Sequence, residues 1–165
     1  MARFQPRLVV DTLNRHGVRY VLIGGVAATL HGSPLRTGDT DICPDAHPEN
    51  LEKLAVALRE LKARVRTEGV EGGLPFSCDA VFLSRVSLLN LETDAGDLDV
   101  SFIPTGTGGY ADLAEHVARF DLDGVVAPVA ALLDIIRSKT AANRPKDQAS
   151  LPVLAELARQ LGLLT

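Results

Sequence analysis

The stretch Val21 to Cys43, VLIGGVAATLHGSPLRTGDTDIC, constrains this chain more than any other, because it joins an apolar run to two glycines and then to a pair of aspartates. Val21, Leu22 and Ile23 suit a short buried strand, and Gly24 and Gly25 at its end permit a tight turn and close approach by a phosphate. Val26, Ala27 and Leu30 fit one face of a helix starting there, whose first-turn N–H groups lack partners within the helix and can receive an anion. Asp39 and Asp41 then follow, one residue apart. On a strand both carboxylates project from the same face and repel strongly unless a cation lies between them. A hard divalent ion, Mg²⁺ above all, suits that oxygen pair.

Two metals held about 3.5 to 4 Å apart need more oxygens than two side chains supply, so a third carboxylate is expected. In Gly96 to Phe102, GDLDVSF, the apolar Leu98, Val100 and Phe102 alternate with Asp97, Asp99 and Ser101, the period of a half-buried strand with one acidic face. Asp97 follows Ala95 and Gly96 at a turn between strands expected at 87–93 and 97–103, and turn aspartates often only bond nearby backbone. Further on, Ile135 to Asp147, IIRSKTAANRPKD, gathers Lys139, Arg144 and Lys146, a point charge and a bidentate fork that suit phosphate oxygens. The same residues also fit a helix C-terminus, where they offset the dipole, with Asn143 and Pro145 breaking one helix from the next.

These residues resemble the nucleotidyltransferase superfamily that includes DNA polymerase beta, whose signature is a hydrophobic residue, two small residues, a helix, and then Asp, any residue, Asp. Gly24, Gly25, Asp39 and Asp41 fall on those positions. Within the superfamily the chain resembles the small bacterial proteins grouped with the toxins of type IV abortive-infection systems. They share GSP, a threonine two before the first aspartate, and DxD, here Gly32, Ser33, Pro34, Thr37, Asp39 and Asp41. They also carry a lysine, then an arginine and a KD pair, corresponding to Lys139, Arg144, Lys146 and Asp147. Two positions depart from the pattern: Thr40 stands where relatives usually have Ile, Val or Leu, and Arg36 lies one place later than their common arginine.

The resemblance implies an α/β (α+β) nucleotidyltransferase fold, a small mixed β-sheet flanked by helices with additional C-terminal helices. It favours Asp99 over Asp97 as the third acid, since Asp99 is flanked by Leu98 and Val100. Asp39, Asp41 and Asp99 are then the catalytic acids and the ligands of Mg²⁺ or Mn²⁺. Gly24, Gly25, Arg36, Thr37, Lys139, Arg144 and Lys146 become the residues that meet an NTP. The toxin likeness implies an RNA acceptor, such as the end of a tRNA, and a cognate antitoxin protein. A small-molecule nucleotidyltransferase, modifying an aminoglycoside or lincosamide, is the alternative and would need an acidic or apolar acceptor pocket. A catalytically silent nucleotide-binding module is a third reading, against which the intact acids argue.

At 165 residues the chain is expected to form a single domain over 1–165, with a core about 18–103 and C-terminal helices about 129–162. Its 46% apolar fraction holds no run approaching the roughly 20 apolar residues of a membrane helix, and no secretion signal is visible, so a cytoplasmic location is expected. Cys43 and Cys78 lack any CxxC or Cys/His spacing, which argues against zinc and a disulfide framework. The net charge of −4 argues against a broadly basic nucleic-acid surface. Local basic groups remain in the 137–146 cluster and in Arg59, Lys62, Arg64 and Arg66, the latter a solvated helix end or an RNA contact. Helices are expected at 4–16, 48–62, 110–118, 129–140 and 147–162, and a small hairpin at 120–128 around Asp123 and Gly124. The glycine-rich stretches 69–78 and 104–109 read as loops, the first bordering the site and the second a connection or rim. His31 and His16 read as helix-end residues with no catalytic role.

Overall fold

A computed structural model describes residues 2–165. The chain opens with α1 (Pro6–Arg15), then alternates β1 (Tyr20–Ile23), α2 (Gly24–Leu30), β2 (Asp39–Pro44) and α3 (Pro48–Glu60). A run of strands follows, β3 (Arg64–Thr67), β4 (Val70–Leu74), β5 (Leu88–Thr93) and β6 (Gly96–Ser101), interrupted by the one-turn α4 (Ala80–Leu83). The remainder supplies α5 (Tyr110–Ala114), the hairpin β7 (Ala118–Leu122) and β8 (Val125–Val129), and two helices, α6 (Leu132–Ala142) and α7 (Pro145–Gln160).

The strands form one mixed eight-stranded sheet in the order β4-β3-β5-β6-β2-β1-β8-β7. Pairs β2–β6 and β1–β8 run parallel and the others antiparallel. Alternation along the central strands sends Ile42, Leu89, Leu91, Leu98 and Val100 into a core shared with Leu13 of α1 and Leu54 and Leu58 of α3. The strand period therefore leaves Asp39, Asp41, Asp97 and Asp99 together on the opposite face. Pro6 and Pro48 each occupy the first turn of their helix, where a missing N–H loses no bond.

The α/β class and mixed sheet are as expected, but the sheet is wider than the chain's patterning suggests. Residues 69–78 are not simply a loop: Val70–Leu74 pairs antiparallel with β3 and forms the sheet's edge. Three glycines there, Gly69, Gly72 and Gly73, have positive φ, and Gly73 packs against the Val65 carbonyl so closely that a Cβ would come within 2.7 Å. Neighbouring backbone, and not strand propensity, supports this segment. The expected helix at 110–118 ends at Ala114, because Ala118 already belongs to β7. The last helix begins at Pro145 and not at 147, with Asp147 completing its first turn. The 120–128 hairpin is present, turning at Asp123 and Gly124, both with positive φ.

Thr40 faces the core from the other side of β2 to the two aspartates and is wholly buried, and its Oγ1 has no hydrogen-bond partner among the described residues. A buried hydroxyl without a partner destabilises. Thr40→Val keeps the shape and should raise stability by about 1 kcal/mol, a rise of about 2–4 °C in melting temperature for a chain of this size. A lower melting temperature in the valine variant would show that the hydroxyl has a partner worth keeping.

Candidate active site

The parallel pairing of β2 with β6 sets Asp39 beside Asp97 and Asp41 beside Asp99. On the other side of β2, Asp41 lies opposite Ile23, the last residue of β1, which brings the glycine turn against it. Gly24 has φ +69°, and a Cβ there would overlap the Asp41 carboxylate; a Cβ on Gly25 would come within 2.6 Å of Thr37. Both small residues are thus demanded by the closeness of the acid-bearing segment. Thr37 in turn places its hydroxyl 3.3 Å from the Asp39 carboxylate.

Carboxylate oxygens of Asp39, Asp41 and Asp99 all lie within 4.8 Å of one another. Burial, reinforced by Asp39 and Asp99, pushes the Asp41 carboxyl up to about 7, although Lys146 and Lys139 act in the opposite sense. Asp99 is raised as well, burial and the nearness of Asp39 outweighing a hydrogen bond and charge from Arg66. Three mutually repelling oxygen donors, with no nitrogen or sulfur among them, fit a hard divalent cation such as Mg²⁺ or Mn²⁺.

A cleft of about 1000 Å³ opens over the three acids and is lined also by Gly25, Arg36, Lys139, Arg144 and Lys146. Arg36 and Lys146 are exposed at its wall, and Lys139 is half-buried. Between α6 and α7 the buried Asp147 organises the basic residues. It accepts from Arg144 Nε at 2.7 Å and from the Arg144 backbone N–H at 3.1 Å, and Lys139 Nζ lies 3.5 Å away. Burial alone would push Asp147 up, but Arg144 and Lys139 together outweigh it and hold the carboxyl below its usual range. The expected anion-binding residues thus reach the same cleft as the acids. Pro104, Thr105 and Thr107 form part of its rim, and Gly106 is packed against α6, where a Cβ would meet Ala141 at 2.6 Å.

Two positions differ from expectation. Asp97 is not a turn residue: it lies within β6, and its carboxylate is 3.2 Å from Arg66 Nη1. Arg66, read as part of a solvated or RNA-facing group, instead donates to Asp99 Oδ1 at 2.6 Å. The signal was present in RVRT, where Arg64 and Arg66 alternate with Val65, but the facing strand could not be known from it. The rest of that basic group is also engaged internally. Arg59 donates to the Cys78 carbonyl, Arg64 to those of Gly72 and Gly73, and Lys62 lies 3.7 Å from Asp94. His31 is structural, with Nε2 2.7 Å from the Ala130 carbonyl oxygen and its ring edge-on to Phe120.

No family model matches the chain, and no curated protein sequence matches it. Solved structures do share its architecture, and the fold they define is that of the nucleotidyltransferases. One is a Thermotoga maritima protein described as a nucleotidyltransferase, 18% identical over 88% of this chain and 87% of that one, with a TM-score of 0.58. A second is the lincosamide antibiotic adenylyltransferase LnuA with lincomycin bound, 16% identical over 90% of this chain and 93% of that one, TM-score 0.60. A third is ANT(2'')-Ia in complex with adenylyl-2''-tobramycin, 14% identical over 94% of this chain and 86% of that one, TM-score 0.59. At such identities the likeness speaks for the fold, and chemistry must be argued from the residues. Among the described residues no helix is long and apolar enough to cross a membrane.

Proposed function

We propose that this protein is a metal-dependent nucleotidyltransferase that moves a nucleoside monophosphate from an NTP to an acceptor hydroxyl and releases pyrophosphate. One observation carries the reading: three carboxylates converge within 4.8 Å in a cleft that Lys139, Arg144 and Lys146 also line. Asp39, Asp41 and Asp99 would hold the Mg²⁺, for which Mn²⁺ could substitute. When bound, the ion would supply positive charge to the phosphates and to the developing charge of the transition state. Gly24 and Gly25 offer backbone N–H donors to the outer phosphates, and the three basic side chains neutralise their charge. The acceptor oxygen bonds to the α-phosphorus, the bond to the bridging oxygen of the β-phosphate breaks, and Asp99 takes the hydroxyl proton. Positioning and charge neutralisation provide most of the acceleration.

The acceptor is a hydroxylated small molecule in this reading. Across the acids from the glycine turn, toward β5, the cleft wall carries Leu88, Asn90, Ser101 and Ile103, a mixed polar and apolar surface with Leu88 57% and Ile103 68% exposed. In the 59–66 basic group, Arg59, Arg64 and Arg66 are already bonded within the protein and Lys62 lies 3.7 Å from Asp94. Two proteins of similar fold, LnuA and ANT(2'')-Ia, are described with antibiotics, which agrees with this choice over an RNA acceptor and an antitoxin partner.

The test incubates purified protein with Mg²⁺ and each α-³²P-labelled NTP in turn, offering lincomycin, tobramycin or total cellular RNA, with Asp39→Ala/Asp41→Ala as control. Label is expected on a small molecule with wild type alone. Label on RNA would preserve the transfer chemistry and replace the acceptor. Equal labelling by the double variant would remove the acids from the mechanism.

A further inference from the structure

Arg66 differs from the other arginines of its segment in what holds it. Arg59 and Arg64 donate to backbone carbonyls, fixed groups whose charge never changes. Among the described residues the partners recorded for Arg66 are both carboxylates of the acidic face. Nη2 donates to Asp99 Oδ1 at 2.6 Å, and Nη1 lies 3.2 Å from Asp97 Oδ2. Nη1 is buried and its approach to Asp97 lacks hydrogen-bond direction, so charge alone holds it there. A buried donor without a directed bond is unfavourable by itself. What offsets this is the crowding of Asp39, Asp41, Asp97 and Asp99 on neighbouring positions of two paired strands.

The same Asp99 is one of the three oxygen donors gathered for a divalent ion. A guanidinium and a divalent ion at one carboxylate repel each other and compete for its single negative charge. We infer that Arg66 is a built-in counter-cation of the acidic site, which neutralises Asp97 and Asp99 until a divalent ion arrives and gives up its bond to Asp99 when the ion takes that carboxylate. The inference rests on the metal-site reading above. It makes Arg66 a positioning residue whose contribution to stability exchanges with that of the metal.

Arg66→Met keeps the apolar stem and removes the charge. Mn²⁺ titration followed by paramagnetic resonance should show binding about tenfold tighter than wild type. In EDTA the variant should melt below wild type, since two carboxylates lose their counter-charge, and saturating Mg²⁺ should close that gap. Arg66→Gln, neutral but still able to donate to Asp99, serves if the methionine variant fails to fold, with the same tightening expected. Unchanged or weaker Mn²⁺ binding, or a melting deficit that Mg²⁺ leaves in place, would overturn the inference and make Arg66 an ordinary structural ion pair. Failure of wild type itself to bind Mn²⁺ is a separate outcome, which removes the metal-site reading and the inference with it.

Discussion

Asp41→Asn is expected to lower nucleotide transfer at least about a hundredfold while making the protein more stable in the absence of metal. The first effect follows from Asp41 belonging to the cluster of three acids, paired with Asp99 across the strands and two positions from Asp39. The second follows from its protonation. The Asp41 carboxyl is pushed up to about 7 from an ordinary 3.8. Below the ordinary value both folded and unfolded chains are protonated there, and the group affects stability little. Between the two values the unfolded chain ionises while the folded one keeps its proton, so stability falls as pH rises, and above about 7 the full penalty is present. A shift of this size corresponds to about 4 kcal/mol. Wild type in EDTA should therefore melt higher at pH 5.5 than at pH 8, and Asp41→Asn should melt above wild type at pH 8. A residual slope should persist in the variant, because Asp99 is raised in the same direction. Mg²⁺ should raise the melting temperature of wild type and have much less effect on the variant. Full transfer by the asparagine variant, or identical melting of the two proteins at pH 8 in EDTA, would remove Asp41 from the centre of the site.

The glycine turn and DxD are local patterns: the strand period puts Asp39 and Asp41 on one face, and the resemblance these patterns carry implies that Gly24 and Gly25 lie beside them. Asp99 could be separated from Asp97 only by resemblance and by the turn before Asp97, because both point to the same side of β6. The difference is register, Asp41 beside Asp99 and Asp39 beside Asp97, fixed between strands far apart in the chain. Arg66 was hidden for the same reason. Its path to Asp99 runs through β3 pairing with β5 and β5 with β6, and no local pattern specifies an edge strand built on Val-Glu-Gly-Gly-Leu. Lys139, Arg144 and Lys146 were visible as charges, but the buried carboxylate that organises the first two depends on how α6 meets α7.

Asp147→Ala should destabilise the protein by about 2–3 kcal/mol and raise KM for the NTP more than it lowers kcat. The side chain is 0% exposed and serves two structures at once. As the third residue of α7 it accepts from the Arg144 backbone N–H, satisfying a donor that the helix leaves free, and its other bonds hold the Arg144 guanidinium and approach Lys139. Losing a buried carboxylate strands these cations, but the Arg144 side chain is 57% exposed and water recovers part of the loss, which sets the estimate below that for a fully buried pair. Asp147→Asn separates the roles. It retains an acceptor for the helix start and should lose only about 1 kcal/mol. It still removes the charge that fixes Lys139 and Arg144, so its KM should rise nearly as far as that of the alanine variant. The sense of the pH effect is opposite to that of Asp41: a carboxyl held below its usual range lends stability above that range and loses it on strong acidification. Between pH 5 and 8 the difference in melting between wild type and Asp41→Asn in EDTA therefore reports the acids of the site and not this buried anchor. An alanine variant that melts like wild type and keeps its KM would mean that Lys139 and Arg144 hold their places in the cleft without Asp147.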